Sequence, residues 1–225
     1  MQRSGSTVDD VVAALTHKAN VTGLDSVQAG NAVWRTIAGE LLGSSVEAER
    51  LDRWFGAPAL ILDQPALSTP HPVPEEIIAS FERTAPLRMP GTSKRDTGTY
   101  YTPPQLAKLV VDQTLEQLAA QGRAPTAWRV VDPASGAGIF GITLVRRLVP
   151  LLVEDGLRDE EARDHVVRTS LHAVDSDPLA VALARCLIFV EVRPTPEAAA
   201  ALERHIVCGD AVIGGPARAG AAPSE

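Results

Sequence analysis

The 225-residue chain is poor in cysteine, with Cys186 and Cys208 the only two. A pair of isolated thiols excludes a disulfide framework and a cysteine-based zinc site, and it fits a reducing, cytoplasmic setting. The chain has no apolar run of eighteen residues, which excludes a membrane-spanning helix of ordinary length. Its first residues, Met-Gln-Arg-Ser-Gly-Ser, have no apolar signal core. The five histidines form no cluster in sequence, so no metal site is expected. Basic residues are scattered apart from Lys94-Arg95 and Arg146-Arg147, and the formal charge is −7. An acidic balance disfavours this polypeptide alone as a strong nucleic-acid binder, because neutralising phosphates takes Lys and Arg.

What is present divides near residue 95. Over residues 7–54, Val8, Val11, Val12 and Leu15 fall on one helical face, and Val33, Ile37 and Leu41 recur at helical spacing. Leu51, Trp54 and Phe55 close this apolar set. Five prolines between 58 and 74 predict a loop or extended linker. Pro74 suits the first turn of a helix, Glu75 and Glu76 complement its dipole, and Ile77, Ile78 and Phe81 face inward. Residues 1–94 thus predict an N-terminal helical region with a Pro-rich linker. It carries no chemical motif.

The second half alternates. Pro103-Pro104 open a helix reaching about Gln121, and strands are expected at about 128–132, 170–175 and 205–208, with helices after Gly138 and Pro178. Residues 154–164 are charge-rich and predict a solvated helical insertion. Strand–helix–strand–helix–strand implies parallel pairing. Residues 213–225 form a small-residue tail.

The most informative stretch is Asp132-Pro-Ala-Ser-Gly136-Ala-Gly138-Ile-Phe140, a strand end, a small-residue turn and a helix start. Gly136 and Gly138 can take positive φ and admit another molecule close to the backbone. The Gly-Lys-Ser/Thr ending of a phosphate-cradling loop is missing. The spacing Gly136-x-Gly138-x-x-Gly141 matches the dinucleotide fingerprint, so a nicotinamide-dependent oxidoreductase stays open. The next strand-end carboxylate, Asp175, lies well beyond the usual spacing of about twenty residues.

Three further segments surround this one: Thr97-Gly-Thr-Tyr-Tyr101-Thr102-Pro103-Pro upstream, and His172-Ala-Val-Asp175-Ser-Asp177-Pro and His205-Ile-Val-Cys-Gly-Asp210 downstream. Together and in this order, over about residues 95–212, they resemble the gamma-class adenine-specific DNA methyltransferases of restriction-modification systems. The resemblance implies a partial class I methyltransferase, a Rossmann-like α/β sheet behind the N-terminal helical region, with S-adenosyl-L-methionine as cofactor. It implies that Tyr101, Thr102 and Pro103 approach the methionine end and that Asp132 receives the ammonium. Pro133, Ala134, Gly136 and Gly138 form the loop beneath the cofactor, and Phe140 covers it. Asp175 accepts from the ribose hydroxyls and Asp210 from the adenine amine. Ser135 and Ala137 stand where the family usually has Cys and Ser.

One family motif is missing. The Asn/Asp-Pro-Pro-Tyr/Phe tetrapeptide that grips a flipped adenine occurs nowhere in the chain. The resemblance therefore assigns no catalytic residue here. It implies that DNA is engaged through a missing or separately encoded part, by pairing with a complementary methyltransferase half, unless the chain is a catalytically silent remnant or interaction subunit. A sheet ending after the third strand would leave the first at an open edge, which favours association, including homo-oligomers.

Overall fold

In the computed structural model, the described residues are 7–56, 72–84, 102–193 and 195–213. The chain forms two compact units, Met1–Tyr101 and Thr102–Glu225, so the division falls at 101/102 against an expected 94/95. The expected tail beyond Ile213 and most of the expected Pro-rich linker lie outside the described residues.

The N-terminal unit contains α1 (Val8–Val21), α2 (Ser26–Leu42), α3 (Ala48–Trp54) and α4 (Pro74–Arg83). Thr7 and Asp25 close reciprocal capping boxes at the starts of α1 and α2, satisfying amide donors that a helix start leaves free. Val11, Val12, Leu15, Ile37, Ile77, Ile78 and Phe81 are buried, as their helical spacing predicts. Trp34 and Phe81 meet edge to face, with centroids 5.1 Å apart.

The C-terminal unit runs α5 (Pro104–Ala120), β1 (Val130–Asp132), α6 (Ile139–Glu154), α7 (Asp159–His165), a π-helical turn (Val166–Ser170), β2 (Leu171–Asp175), α8 (Pro178–Val192), α9 (Pro196–His205) and β3 (Ile206–Cys208). The strands pair in parallel in the order β1-β2-β3, with Val131 opposite His172 and Val174 opposite Val207.

This arrangement corrects the expected fold class. The described residues are predominantly helical, and the sheet is three strands of three, five and three residues. A Rossmann-like methyltransferase sheet, even a partial one, is not what they form. The strand order runs one way with no reversal, so there is no switch point of the kind that defines a doubly wound sheet. The physical reason lies in where apolar mass resides. α6 and α8 bury nine and eleven residues, whereas the β-branched runs between Pro-, Gly- and Ser-rich segments are too short for long strands.

α6 and α8 pack against each other at very short range. A Cβ on Gly141 would lie 2.6 Å from Ile188 Cδ1 and 3.5 Å from Leu171 Cδ2. A Cβ on Gly138 would lie 3.0 Å from Ala184 Cβ and 3.2 Å from Ala184 Cα, at a backbone φ of 94°. Among the described residues, no helix is long and apolar enough to cross a membrane.

Two outcomes are expected from this packing. Gly138→Ala lowers stability by roughly 1–3 kcal/mol, since strain at positive φ adds to an overpacked contact with α8; urea unfolding checks it, and an unchanged midpoint contradicts it. The second concerns the sheet edge, where Val131 is 54% exposed and β1 pairs only with β2 among the described residues. Amides of 130–132 should exchange faster than those of 171–175, and Val131→Lys should reduce self-association seen by light scattering at micromolar concentration.

Candidate functional site

The glycine loop joins the carboxyl end of β1 to the start of α6. Gly136 (φ 51°) and Gly138 (φ 94°) both take left-handed backbone, which a Cβ disfavours. Gly138 N–H donates to Ser135 O at 2.9 Å, closing the turn.

The loop is fastened to the neighbouring strand. Ser135 N–H donates to Val174 O at 3.0 Å, and Gly136 N–H donates to Asp175 Oδ2 at 2.7 Å. The other carboxylate oxygen, Asp175 Oδ1, accepts from Asp177 N–H at 2.9 Å. Asp177 in turn caps α8 by accepting from Leu179 N–H at 2.9 Å. The backbone carbonyl of Asp175 accepts from Gly209 N–H at 2.9 Å, which ties down the loop after β3.

Asp132 and Asp175 end adjacent parallel strands. Asp132 Oδ1 accepts from Ala134 N–H at 3.2 Å. Asp132 Oδ2 is buried with no hydrogen-bond partner, and so is the hydroxyl of Ser135. Burial pushes the Asp132 carboxyl above its ordinary pKa of 3.8; the Ala134 N–H opposes that shift, and the negative charge of Asp175 adds to it. Buried polar atoms without partners are rare, and a carboxylate oxygen is an acceptor waiting for a donor.

Beside Asp132 lies a cleft of about 300 Å³ between α5, β1 and α6. Val110, Val111, Thr114, Phe140 and Leu144 contribute to its mostly apolar walls, and Asp132 and Pro133 close one side. Phe140 is half-buried and faces this cleft.

The structure therefore brings Asp132, Pro133, Ala134, Gly136, Gly138, Phe140 and Asp175 into one region around the carboxyl end of the sheet. Two of these positions have a local reason that sequence did not supply. Gly138 is required by its contact with Ala184, and Asp175 binds the glycine loop with one oxygen and its own turn with the other. Asp210 is exposed after β3, and its Oδ1 accepts from Val212 N–H (2.8 Å) and Ile213 N–H (3.1 Å), capping its own turn. Thr102 and Pro103 precede α5, with Pro104 in its first turn. Tyr101 lies outside the described residues. Ser135 and the Val174 carbonyl are the site members that sequence reasoning passed over; the signal for Ser135 was its place between the aspartate and the glycines.

Among the described residues, no three His, Cys, Asp or Glu side chains come together in a way that could hold a metal ion. Cys186 is buried and Cys208 is exposed; neither is bonded to another cysteine.

The raised pKa of Asp132 gives a pH-dependent stability of known sign. A carboxyl whose folded pKa lies above its unfolded one costs stability when ionised and costs nothing when both states are protonated. The penalty sets in as pH rises from about 3.8 through the folded pKa and persists at neutrality. Asp132→Asn, which keeps an oxygen for Ala134 N–H, should be more stable than wild type at pH 7, with the difference shrinking as pH falls toward 4. Urea unfolding across that range tests it, and parallel profiles contradict it.

Compared with known proteins, the chain matches no family model and no curated protein sequence.

Proposed function

We propose that this chain binds S-adenosyl-L-methionine at the glycine loop and is the cofactor-binding portion of a system that methylates the exocyclic amine of adenine in DNA. The observation that carries the reading is Asp132 Oδ2, a buried carboxylate oxygen with no partner at a strand's carboxyl end. A cationic donor such as the methionine ammonium would satisfy it. The ordered motifs, Tyr101-Thr102-Pro103, Asp132 to Phe140, Asp175 and Asp210, supply the choice of cofactor.

The residues present fit such a ligand. Asp132 would hold the ammonium. Asp175 spends one lone pair of each oxygen on a backbone N–H and keeps others for a ribose diol. Asp210 uses Oδ1 for its own turn and leaves Oδ2 for an amine. Thr102 and the N-terminus of α6 offer donors to a carboxylate. When bound, the cofactor supplies an electrophilic methyl on a sulfonium. The chain's own contribution is to orient it, and orientation is the larger part of catalysis in such a transfer.

No Asn/Asp-Pro-Pro-Tyr/Phe tetrapeptide occurs in the sequence, so in this reading the grip on a flipped adenine comes from outside these 225 residues. That absence also favours a second reading, a binding or interaction subunit that holds the cofactor without catalysing transfer.

Calorimetry on the purified chain should detect binding of S-adenosylmethionine or S-adenosylhomocysteine and none of NADH. Asp132→Asn should weaken that binding by about tenfold or more, the size of a lost hydrogen bond to a charged group. NADH binding without an adenosylmethionine response overturns the assignment. With labelled cofactor, this polypeptide alone should transfer no methyl to DNA, and transfer only with a second chain present separates the methyltransferase reading from the silent one.

A further inference from the structure

The arginines of the C-terminal unit are not used evenly. Arg146 pairs with Glu191, Arg147 with Asp112, Arg158 with Glu161, Arg163 and Arg193 with Asp159, and Arg168 with Asp164. Arg185 donates to the carbonyls of Ile206 and Glu203. Among the described residues, no carboxylate pairs with Arg123, Arg129 or Arg204. In a chain with seven more acids than bases, three such exceptions are unexpected, and all three sit at the same end of the sheet. Arg123 and Arg129 precede β1, and Arg204 precedes β3 by two positions.

Two histidines join them. His172 is the second residue of β2 and His205 immediately precedes β3; their rings lie 4.5 Å apart, tilted by 39°. The register explains the meeting. Ala173 is opposite Ile206, so the positions one step earlier, 172 and 205, are also neighbours. Val131 is opposite His172, and Arg129, two residues before Val131, falls on the same face. Arg129 is also one wall of a cavity of about 300 Å³ that Arg123, Trp128, Ala127 and Leu118 complete. No acidic side chain lines it. Arg129 donates to the carbonyls of Trp128 and Thr126, which holds its stem along the turn before β1.

We propose that this amino end of the sheet is a binding site for a phosphate-bearing ligand, held by Arg123 and Arg129 across the cavity, with His172, His205 and Arg204 extending the positive surface. The site is at the opposite end of the strands from the glycine loop and is independent of it. Guanidinium groups suit phosphate because their donors match two oxygens at once. The histidines add a charge that the ligand itself would recruit. The charged groups that act on His172 are cationic: His205 from the β3 side and Arg129 from the β1 side. In the preceding turn the charge of Arg168 goes to Asp164, and in the last turn of α9 Glu203 lies next to Arg204 in sequence. His172 accordingly has its pKa lowered, first by burial and then by the charge of His205, with a smaller contribution from Arg129; its bond to the Thr169 backbone opposes these. His205 is anchored through Nδ1 to the Val167 carbonyl at 2.9 Å, which leaves Nε2 for another partner. An anion beside the pair would favour its protonated form.

The test is an NMR titration of the histidine ring resonances of the full chain at low ionic strength, where surface electrostatics are least screened. Two probes are used separately, inorganic pyrophosphate and a thymidine oligonucleotide. The expected result is saturable movement of the His172 and His205 signals and a rise in the His172 pKa, with the His17 signal of the N-terminal unit unmoved. The probe that binds tighter identifies the source of the phosphate, free or in a nucleic-acid backbone. The double variant Arg123→Gln, Arg129→Gln alters exposed side chains and should weaken binding at least fivefold with an unchanged circular dichroism spectrum. Resonances unmoved by both probes at millimolar concentration, movement equalled by sodium chloride at the same ionic strength, or unchanged affinity in the double variant would each overturn the proposal.

Discussion

One carboxylate orders the carboxyl end of the sheet. Asp175 accepts from Gly136 with one oxygen and from Asp177 with the other, and its backbone carbonyl accepts from Gly209. Three loops, those after β1, β2 and β3, are thereby referred to a single residue. A strand pair of three residues cannot hold a turn in place by ladder bonds alone, and the side chain supplies what the short strands do not. The two hydrogen bonds to its carboxylate are charge-assisted, and each is worth about twice a neutral one. They also fix where Asp132 stands, because the glycine loop that carries it is anchored at Ser135 and Gly136.

Holding two carboxylates at neighbouring strand ends has a cost that the local structure distributes unequally. Asp175 is stabilised by two backbone donors. Asp132 has one donor, partial burial and the field of its neighbour. The pair is thus asymmetric before any ligand arrives: one member is a structural clamp and the other is short of a donor. A buried carboxyl with a perturbed pKa and an unused acceptor is a candidate position for a ligand. At the other end of the same strands the imbalance has the opposite sign: among the described residues, no carboxylate pairs with Arg123 or Arg129. The small sheet therefore presents two chemically opposite faces to solvent about one strand length apart.

Much of this was legible in the sequence because it rests on short-range patterns. The strand ends at Asp132 and Asp175, the turn between Asp132 and Ile139, and the helix starts at Pro74, Pro104 and Pro178 follow from β-branched runs, glycines and prolines. The fold class was not legible. The motifs are loop-length features, and they say nothing about how many strands assemble or how much of the apolar content goes into helices; α8 is buried nearly all round, while its neighbouring strands are minimal. α9 was missed because an alanine-rich segment carries little periodicity. The use of Asp175 as a clamp was hidden because its partner Gly136 lies 39 positions away. The close approach of Ala184 in α8 to Gly138 was likewise hidden, because the two are far apart in the chain. His172 and His205 are brought together only by strand register.

The two thiols differ in a way that makes one of them a gauge of the site. Cys186 lies wholly within the α8 core, where burial pushes its pKa up and removes it from alkylating reagents. Cys208 is exposed at the end of β3, with its Sγ 3.7 Å from the Ser176 carbonyl in the turn that Asp175 and Asp177 organise. Desolvation raises its thiol pKa, and the charges of Asp175 and Asp177 raise it further. Burial is the larger cause and the two carboxylates the smaller, so the part of the suppression that they supply falls when their charge is taken up elsewhere. Alkylation of Cys208 is then expected to quicken, while Cys186 stays out of reach.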